Sequence, residues 1–290
     1  MKKDIFGKGE AVLIDRIMEK LPLDQNKTVL PRTASLDILA LSNKEYFYIL
    51  RKIFHTFMFD MKEFAMDTYG LPAEEYINAL TWLTYVHSII YKLDLSIEKQ
   101  ASRLVPDSDL DFESARNEIN QFLQEHNLLD AGIKNGVERV IRYLAFEQQQ
   151  LRHNNRLSAA EIFRILELKS ADLEVLRRII LKVGKLEIAQ PEMDFFNLLD
   201  KIREIFDDIR DYQEDLTLKN FNTVIYLDQD CQSPEQARQL LEKYIEQEAA
   251  RCLALVDQIE KDKQKKFLTI CARLKQEKKY YLEQLHKLNE

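Results

Sequence analysis

Apolar residues recur at helical spacing through most of this chain. In 192–218, Phe195, Leu198, Leu199, Ile202, Ile205, Phe206, Ile209 and Leu216 form one stripe. Asp200, Glu204, Asp207, Asp208, Asp211, Glu214 and Asp215 occupy the other side. The segment 75–104 differs. Ile77, Leu80, Trp82, Leu83, Tyr85, Val86, Ile89, Ile90 and Leu93 surround most of its circumference, which predicts a buried helix. One narrow polar stripe runs along it: His87, Tyr91, Asp94 and Glu98, at i, i+4, i+7 and i+11. That stripe has two readings. It marks the edge where the helix meets solvent, with His87 a hydrogen-bonded core histidine, or it faces the same cavity as Asp207.

Turn residues divide these patterns. Breaks are expected near Pro22–Pro31, Gly70-Leu71-Pro72, Pro106–Asp109, Gly132–Gly136, His153–Arg156, Gly184–Pro191 and Asp228–Pro234. Ser158 followed by Glu161 reads as a capping box. Ser233-Pro234 supplies an N-cap and a proline at the first helical position. About eight helical stretches result, with no internal repeat or linker between them. The expected fold is all-α, one domain over 1–290 built as a bundle of long helices.

Composition supports that class and removes several functions. Only 6 Gly and 6 Pro occur in 290 residues, too few turn residues for a β-rich fold. The net charge is −7, and no Lys/Arg cluster is interleaved with aromatics, which argues against nucleic acid as a partner. No run approaches the roughly 18 apolar residues of a transmembrane helix. The N-terminal segment lacks the apolar region of a signal peptide. Cys231, Cys252 and Cys271 are widely spaced without a CxxC, which suits a reducing cytoplasm.

The acidic side of 192–218 carries the candidate chemistry. Asp207, Asp211 and Asp215 stand at i, i+4 and i+8, so on a helix their carboxylates stack. Like charges at that spacing cost roughly 0.2–0.5 kcal/mol per pair. Such a stack is either left in water as a solvated face or given a cation to hold. For an all-oxygen donor set a hard divalent ion such as Mg²⁺ is the usual partner.

Several motifs together resemble the class I isoprenoid synthases: trans-prenyl diphosphate synthases, squalene and phytoene synthases, and class I terpene cyclases. Asp207-Asp208-Ile209-Arg210-Asp211 matches the second DDxxD motif of prenyl synthases. The same stretch fits the cyclase triad (N/D)DxxSxxxE in charge and spacing, with Asp207, Asp211 and Asp215 at the metal positions. Ile209 to Asp215 is similar to the IRDYxED stretch of squalene synthases, and Phe221-Asn222-Thr223-Val224 to the asparagine loop after the triad. Upstream, 161–173 is similar to the prenyl synthase KTxxL helix, which places Lys169 against a diphosphate. Glu147-Gln148-Gln149-Gln150 sits where those enzymes carry a glycine-glutamine motif.

The resemblance implies an α-bundle around a central apolar cavity and a Mg²⁺-dependent reaction on a prenyl diphosphate. Its metal ligands would be Asp207, Asp208, Asp211 and Asp215 on one wall and Asp94 with Glu98 on the other. Asp207, Asp211 and Asp94 would be catalytic. Lys169, Arg164, Lys219 and Arg103 would bind the diphosphate. Trp82, Tyr85, Phe163 and Tyr91 are the expected ring lining for an allyl cation. A homodimer is among the assemblies this reading allows.

Departures from the family pattern keep other readings open. The first acidic motif reads Asp94-Leu95-Ser96-Ile97-Glu98, with Leu95 where a second aspartate belongs. Arg103 is the sole remnant of the arginine pair that follows it, and Arg203-Glu204 replaces an FQ pair. A second reading is a catalytically impaired prenyltransferase-like subunit with a regulatory or interaction role. A third is an unrelated helical scaffold with an acidic face, whose basic tail Lys261–Tyr281 is an interaction helix or a solvated amphipathic one.

Overall fold

The computed structural model describes residues 43–101, 109–153 and 155–288. The chain divides into two compact units, Met1–Tyr46 and Phe47–Glu290. Only residues 43–46 of the first are described, so the architecture is that of the second. Among the described residues the regular structure is all helical, with no strand. No helix among them is long and apolar enough to cross a membrane.

The first described helix, α1 (Asn43–Thr56), runs into two wider π-helical turns, Phe57–Met61 and Glu63–Thr68. The long buried helix α2 (Ala73–Ala101) comes next, then α3 (Phe112–Glu125) and α4 (Ala131–His153). After these come α5 (Ala159–Lys169), α6 (Ala171–Val183) and α7 (Gln190–Arg210). Two short helices, α8 (Tyr212–Leu218) and α9 (Thr223–Asp230), precede the long pair α10 (Pro234–Val256) and α11 (Lys261–Lys287).

Most boundaries fall where turn chemistry puts them. Gly70 adopts a positive φ of 70° at the turn before α2, where glycine carries no Cβ penalty. Ser158 and Glu161 form the reciprocal capping box of α5, and the Ser233 hydroxyl accepts from the Gln236 amide at the start of α10. The expected breaks at Pro22–Pro31 and at 106–108 lie outside the described residues.

Two boundaries differ from the expectation. Gly132 and Gly136 do not interrupt a helix; both lie inside α4, whose preceding turn falls at 126–130. A Cβ on Gly136 would meet Val175 Cγ2 at 2.6 Å, and one on Gly132 would meet Arg178 Nη1 at 2.7 Å. These glycines let α4 approach α6, a packing role that local turn statistics do not register. The continuous helix expected over 192–218 is broken at Asp211, between α7 and α8.

The core is built around α7. Phe195, Leu199, Ile202 and Ile205 are fully buried, and α7 packs on both α10 and α11. Phe195, Phe196 and Phe267 meet edge to face. The tail is part of this core: Phe267, Ile270, Leu274 and Leu285 of α11 are buried, Lys263 bonds Glu192 at 2.9 Å, and Arg273 pairs with Glu63. The apolar face of α11 therefore serves the fold, and Lys263 and Arg273 of its basic residues join it.

One ion pair lies wholly inside. Arg177 of α6 makes a two-pronged bridge to Asp200 of α7, each about 1% exposed. The guanidinium also lies over Phe64 and Phe196. Removing one partner of such a pair strands a buried charge, at a cost of about 3–5 kcal/mol. Arg177→Met is expected to lose that much in urea unfolding, and Arg177→Met/Asp200→Leu to regain most of it.

Candidate functional site

A cavity of about 1020 Å³ opens among α1, α2, α4, α5, α6, α7, α8 and α11. Its wall carries Asp94 and Glu98 from α2, Lys169 from α5, and Asp207, Asp208, Asp211 and Asp215 from α7 and its continuation. Tyr91, Asp94 and Glu98 of the polar stripe of α2 thus line the same space as Asp207, Asp208, Asp211 and Asp215. Twelve Asp and Glu residues line it against five Lys and Arg. That surplus creates a strongly negative concavity, because walls of low dielectric concentrate the field of fixed charges.

The acidic side of α7 is solvated only in part. Asp208 is 2% exposed. Its Oδ1 accepts from Lys169 Nζ at 2.5 Å and its Oδ2 from the Thr223 amide at 2.9 Å. Lys169 also reaches Glu204 at 3.3 Å. Burial alone would discharge this lysine, but Asp208 and Glu204 outweigh it and raise its pKa. Of the acidic pair Asp207-Asp208, the second is thus a framework group with both oxygens engaged.

Asn222 completes that framework. It is fully buried, and its Oδ1 caps α9 by accepting from the Val224 and Ile225 amides. Its Nδ2 donates to the Asp208 carbonyl at 2.7 Å and to Asp215 Oδ2 at 2.8 Å. One side chain thus satisfies an orphan carbonyl at the end of α7 and orients Asp215. Across the break, the Asp211 amide still bonds the Asp207 carbonyl at 2.8 Å, and the Asp215 amide the Asp211 carbonyl at 2.9 Å. Helical spacing therefore survives the bend at Asp211.

Asp207 and Asp211 are the accessible acids of this wall. Their side chains are 49% and 40% exposed, and Arg210 holds them both, at 2.5 and 2.8 Å, while itself 52% exposed. An exposed pair of this kind contributes about 0–1 kcal/mol, so its guanidinium is readily displaced. Burial against the cavity wall raises Asp207 above the usual carboxylate range, and Arg210 works against the rise. Burial also raises Asp215.

The opposite acids are held differently. Lys52 of α1 lies 3.4 Å from both Asp94 Oδ2 and Glu98 Oε1, and the Tyr48 hydroxyl donates to Glu98 at 3.1 Å. Between the two sets sit Tyr143 and Glu147 of α4. The Glu147 carboxyl is 8% exposed, with Oε1 3.4 Å from the Tyr143 hydroxyl and Oε2 without a hydrogen-bond partner. Burial, reinforced by Asp94 and Glu98, pushes Glu147 up to about 8. Burial likewise pushes Glu204 to about 8, against Lys169.

Among the described residues no three His, Cys, Asp or Glu side chains already converge as a metal cage. The Asp207 wall nevertheless fits a hard divalent cation. Its donors are all oxygen, two of them open to the cavity, and the surrounding surplus of acid favours added positive charge. The Asp94–Glu98 pair fits one less well, because an ammonium already occupies it.

Other expected site residues lie elsewhere. Arg164 is exposed on α5 and absent from the cavity wall. Lys219 is the exposed left-handed C-cap of α8, also off the wall. Arg103 lies outside the described residues. Of the four expected ring-lining residues only Tyr91 lines the cavity. Trp82 and Tyr85 pack on Phe122 of α3, and Phe163 stacks on Tyr244 of α10. The rings that do line it include Tyr48, Tyr143, Phe206, Phe221 and Tyr281. His87 is a core histidine, stacked between Phe57 and Tyr91 with Nε2 3.3 Å from Asp172.

Sequence reasoning missed Lys52, Glu147 and Glu204 as site groups. Lys52 stands one turn after Tyr48, a weak signal visible only if α1 is already known to face α2. No protein-family model matches this chain, and no curated protein or solved structure matches it.

Glu147 supplies a pH test. Folding raises its pKa from 4.5 to about 8, so in that window the folded chain binds a proton that the unfolded chain does not. Its contribution is fully present below about pH 4.5 and is lost as pH rises toward 8. Melting temperature measured from pH 5 to 9 is expected to decline less steeply in Glu147→Gln than in the parent chain. Parallel profiles would contradict the assignment.

Proposed function

We propose that this protein is a Mg²⁺-dependent enzyme that ionises a prenyl diphosphate, in the manner of the class I isoprenoid synthases its motifs resemble. The observation that carries the reading is the cavity of about 1020 Å³ that is lined by Asp207, Asp211, Asp215 and Lys169 together with Asp94 and Glu98. The resemblance of 158–226 to those enzymes supports the reading. A solvated acidic helix would not bury Asp208 against Lys169.

Asp207, Asp211 and Asp215 are the residues that would hold the metal. Bound there, Mg²⁺ would act as a Lewis acid on the diphosphate and neutralise its departing charge. The chain's own groups do the rest. Lys169 keeps a fixed positive charge at the cavity, stationed before the reaction by Asp208 and Glu204, so no reorganisation is needed when negative charge develops. The allylic C–O bond breaks with its electron pair leaving on the diphosphate. The carbocation left behind would be stabilised by aromatic rings of the cavity lining, which includes Tyr91, Tyr143, Phe206 and Phe221. Apolar Ile90, Val140, Leu144 and Leu173 of the same wall would shield it from water.

A second reading has one observation in its favour. Lys52 fills the acidic pair that the resemblance assigns to metal, as expected of a relative that keeps the fold and binds diphosphates without turning them over.

Incubation with geranyl, farnesyl and geranylgeranyl diphosphates, with and without Mg²⁺, separates the two. Pyrophosphate release that requires Mg²⁺ and falls about 10²-fold or more in Asp207→Ala is the expected result. Mg²⁺-dependent binding without release would establish the second reading. Neither binding nor release with any of the three would sink both.

A further inference from the structure

Two walls of the cavity hold acids one helical turn apart, and each pair has a cation from the chain. The two cations are not equivalent. Arg210 spans Asp207 and Asp211 at the surface, 52% exposed, within its own stretch of chain. Lys52 comes from another helix, and its side chain is 32% exposed. Its Nζ lies 3.4 Å from Asp94 and 3.4 Å from Glu98, whose side chains are 23% and 24% exposed. The same nitrogen lies 5.0 Å from the ring centre of Tyr48 and 5.6 Å from that of Tyr91. Two carboxylates and two ring faces form a cage of the kind an ammonium prefers. Tyr48 closes it by donating to both Glu98 oxygens, at 3.1 and 3.3 Å. Burial works against a charged lysine here, yet Asp94 and Glu98 together hold it charged. Leu95 stands between the two acids in sequence, so α2 itself brings two carboxylates, Asp94 and Glu98, to this wall. One ammonium balances one of those two charges.

We propose that Lys52 is the resident cation of the Asp94–Glu98 wall, a tethered ammonium in the position of a metal ion, so that metal binding in this chain is confined to the Asp207–Asp215 wall. The inference rests on the proposed metal-dependent function, and its test separates the two. A cation carried by the chain is present at any metal concentration. It makes the cavity asymmetric, with one wall fixed and the other loaded from solution.

Mn²⁺ alone, titrated into the full chain and counted from the free-ion electron paramagnetic resonance signal, is the probe. In the parent chain Asp94→Asn is expected to leave Mn²⁺ stoichiometry unchanged, while Asp207→Asn lowers it. Lys52→Met, or the milder Lys52→Gln, is expected to add one Mn²⁺ site that a further Asp94→Asn removes. A loss of stoichiometry in Asp94→Asn alone overturns the inference, as does a folded Lys52 variant that gains no site. Should both Lys52 variants fail to fold, rescue by Asp94→Asn or Glu98→Gln is expected of a missing resident cation, and no rescue overturns it. A parent chain that binds no Mn²⁺ sinks the metal-dependent function, yet a site gained in Lys52→Gln still sustains the assignment of Lys52.

Discussion

A carboxylate cannot stay out of water without partners, and Asp208 is where this constraint organises the molecule. Its two oxygens join Lys169 at the end of α5 to the Thr223 amide at the start of α9. Its own carbonyl takes the Asn222 amide, which also holds Asp215. Three helices and the turn between α7 and α9 are therefore tied through one residue. Asp207 and Asp211 line the same cavity beside this hub, with their side chains 49% and 40% exposed where that of Asp208 is 2% exposed. The acids with access to the cavity and the acid that builds its floor are separate residues, placed a single position apart.

The same electrostatic demand recurs around the cavity with graded solutions. Asp200 is met by Arg177 in a fully buried bridge. Asp94 and Glu98 are met by Lys52 in a half-buried one. Asp207 and Asp211 are met by an Arg210 that is half in solvent. The strength with which each cation is held tracks its enclosure, since screening by water weakens exposed pairs. Glu147 and Glu204 receive less compensation, and burial shifts them toward the neutral acid. The protein thus grades from locked charge in the core, through caged charge, to exchangeable charge at the cavity.

Legibility in the sequence depends on how local each feature is. The capping box of α5, the Ser233-Pro234 start of α10 and the turn at Gly70 depend on neighbours a few residues away, and all three were readable. The acid spacing and the polar stripe of α2 are also local periodicities. Gly132 and Gly136 misled because a glycine that ends a helix and one that admits a neighbouring helix look alike in one dimension. Trp82, Tyr85 and Phe163 misled for a similar reason, since an aromatic on a buried helix has several apolar neighbours to choose from and periodicity does not say which one is a cavity.

By itself, the sequence determined the all-helical class, most helix boundaries, and the two acidic patterns together with Lys169, because hydrophobic periodicity and caps act over one or two turns. Only the tertiary structure decided that those patterns line a common cavity, that Asp208 belongs to the framework, and that Lys52 stands between Asp94 and Glu98. Those outcomes depend on which helices touch, and on the electrostatic energy of groups 42 or 39 residues apart in the chain. Coulomb interactions and desolvation act through space, and only the folded arrangement defines that space.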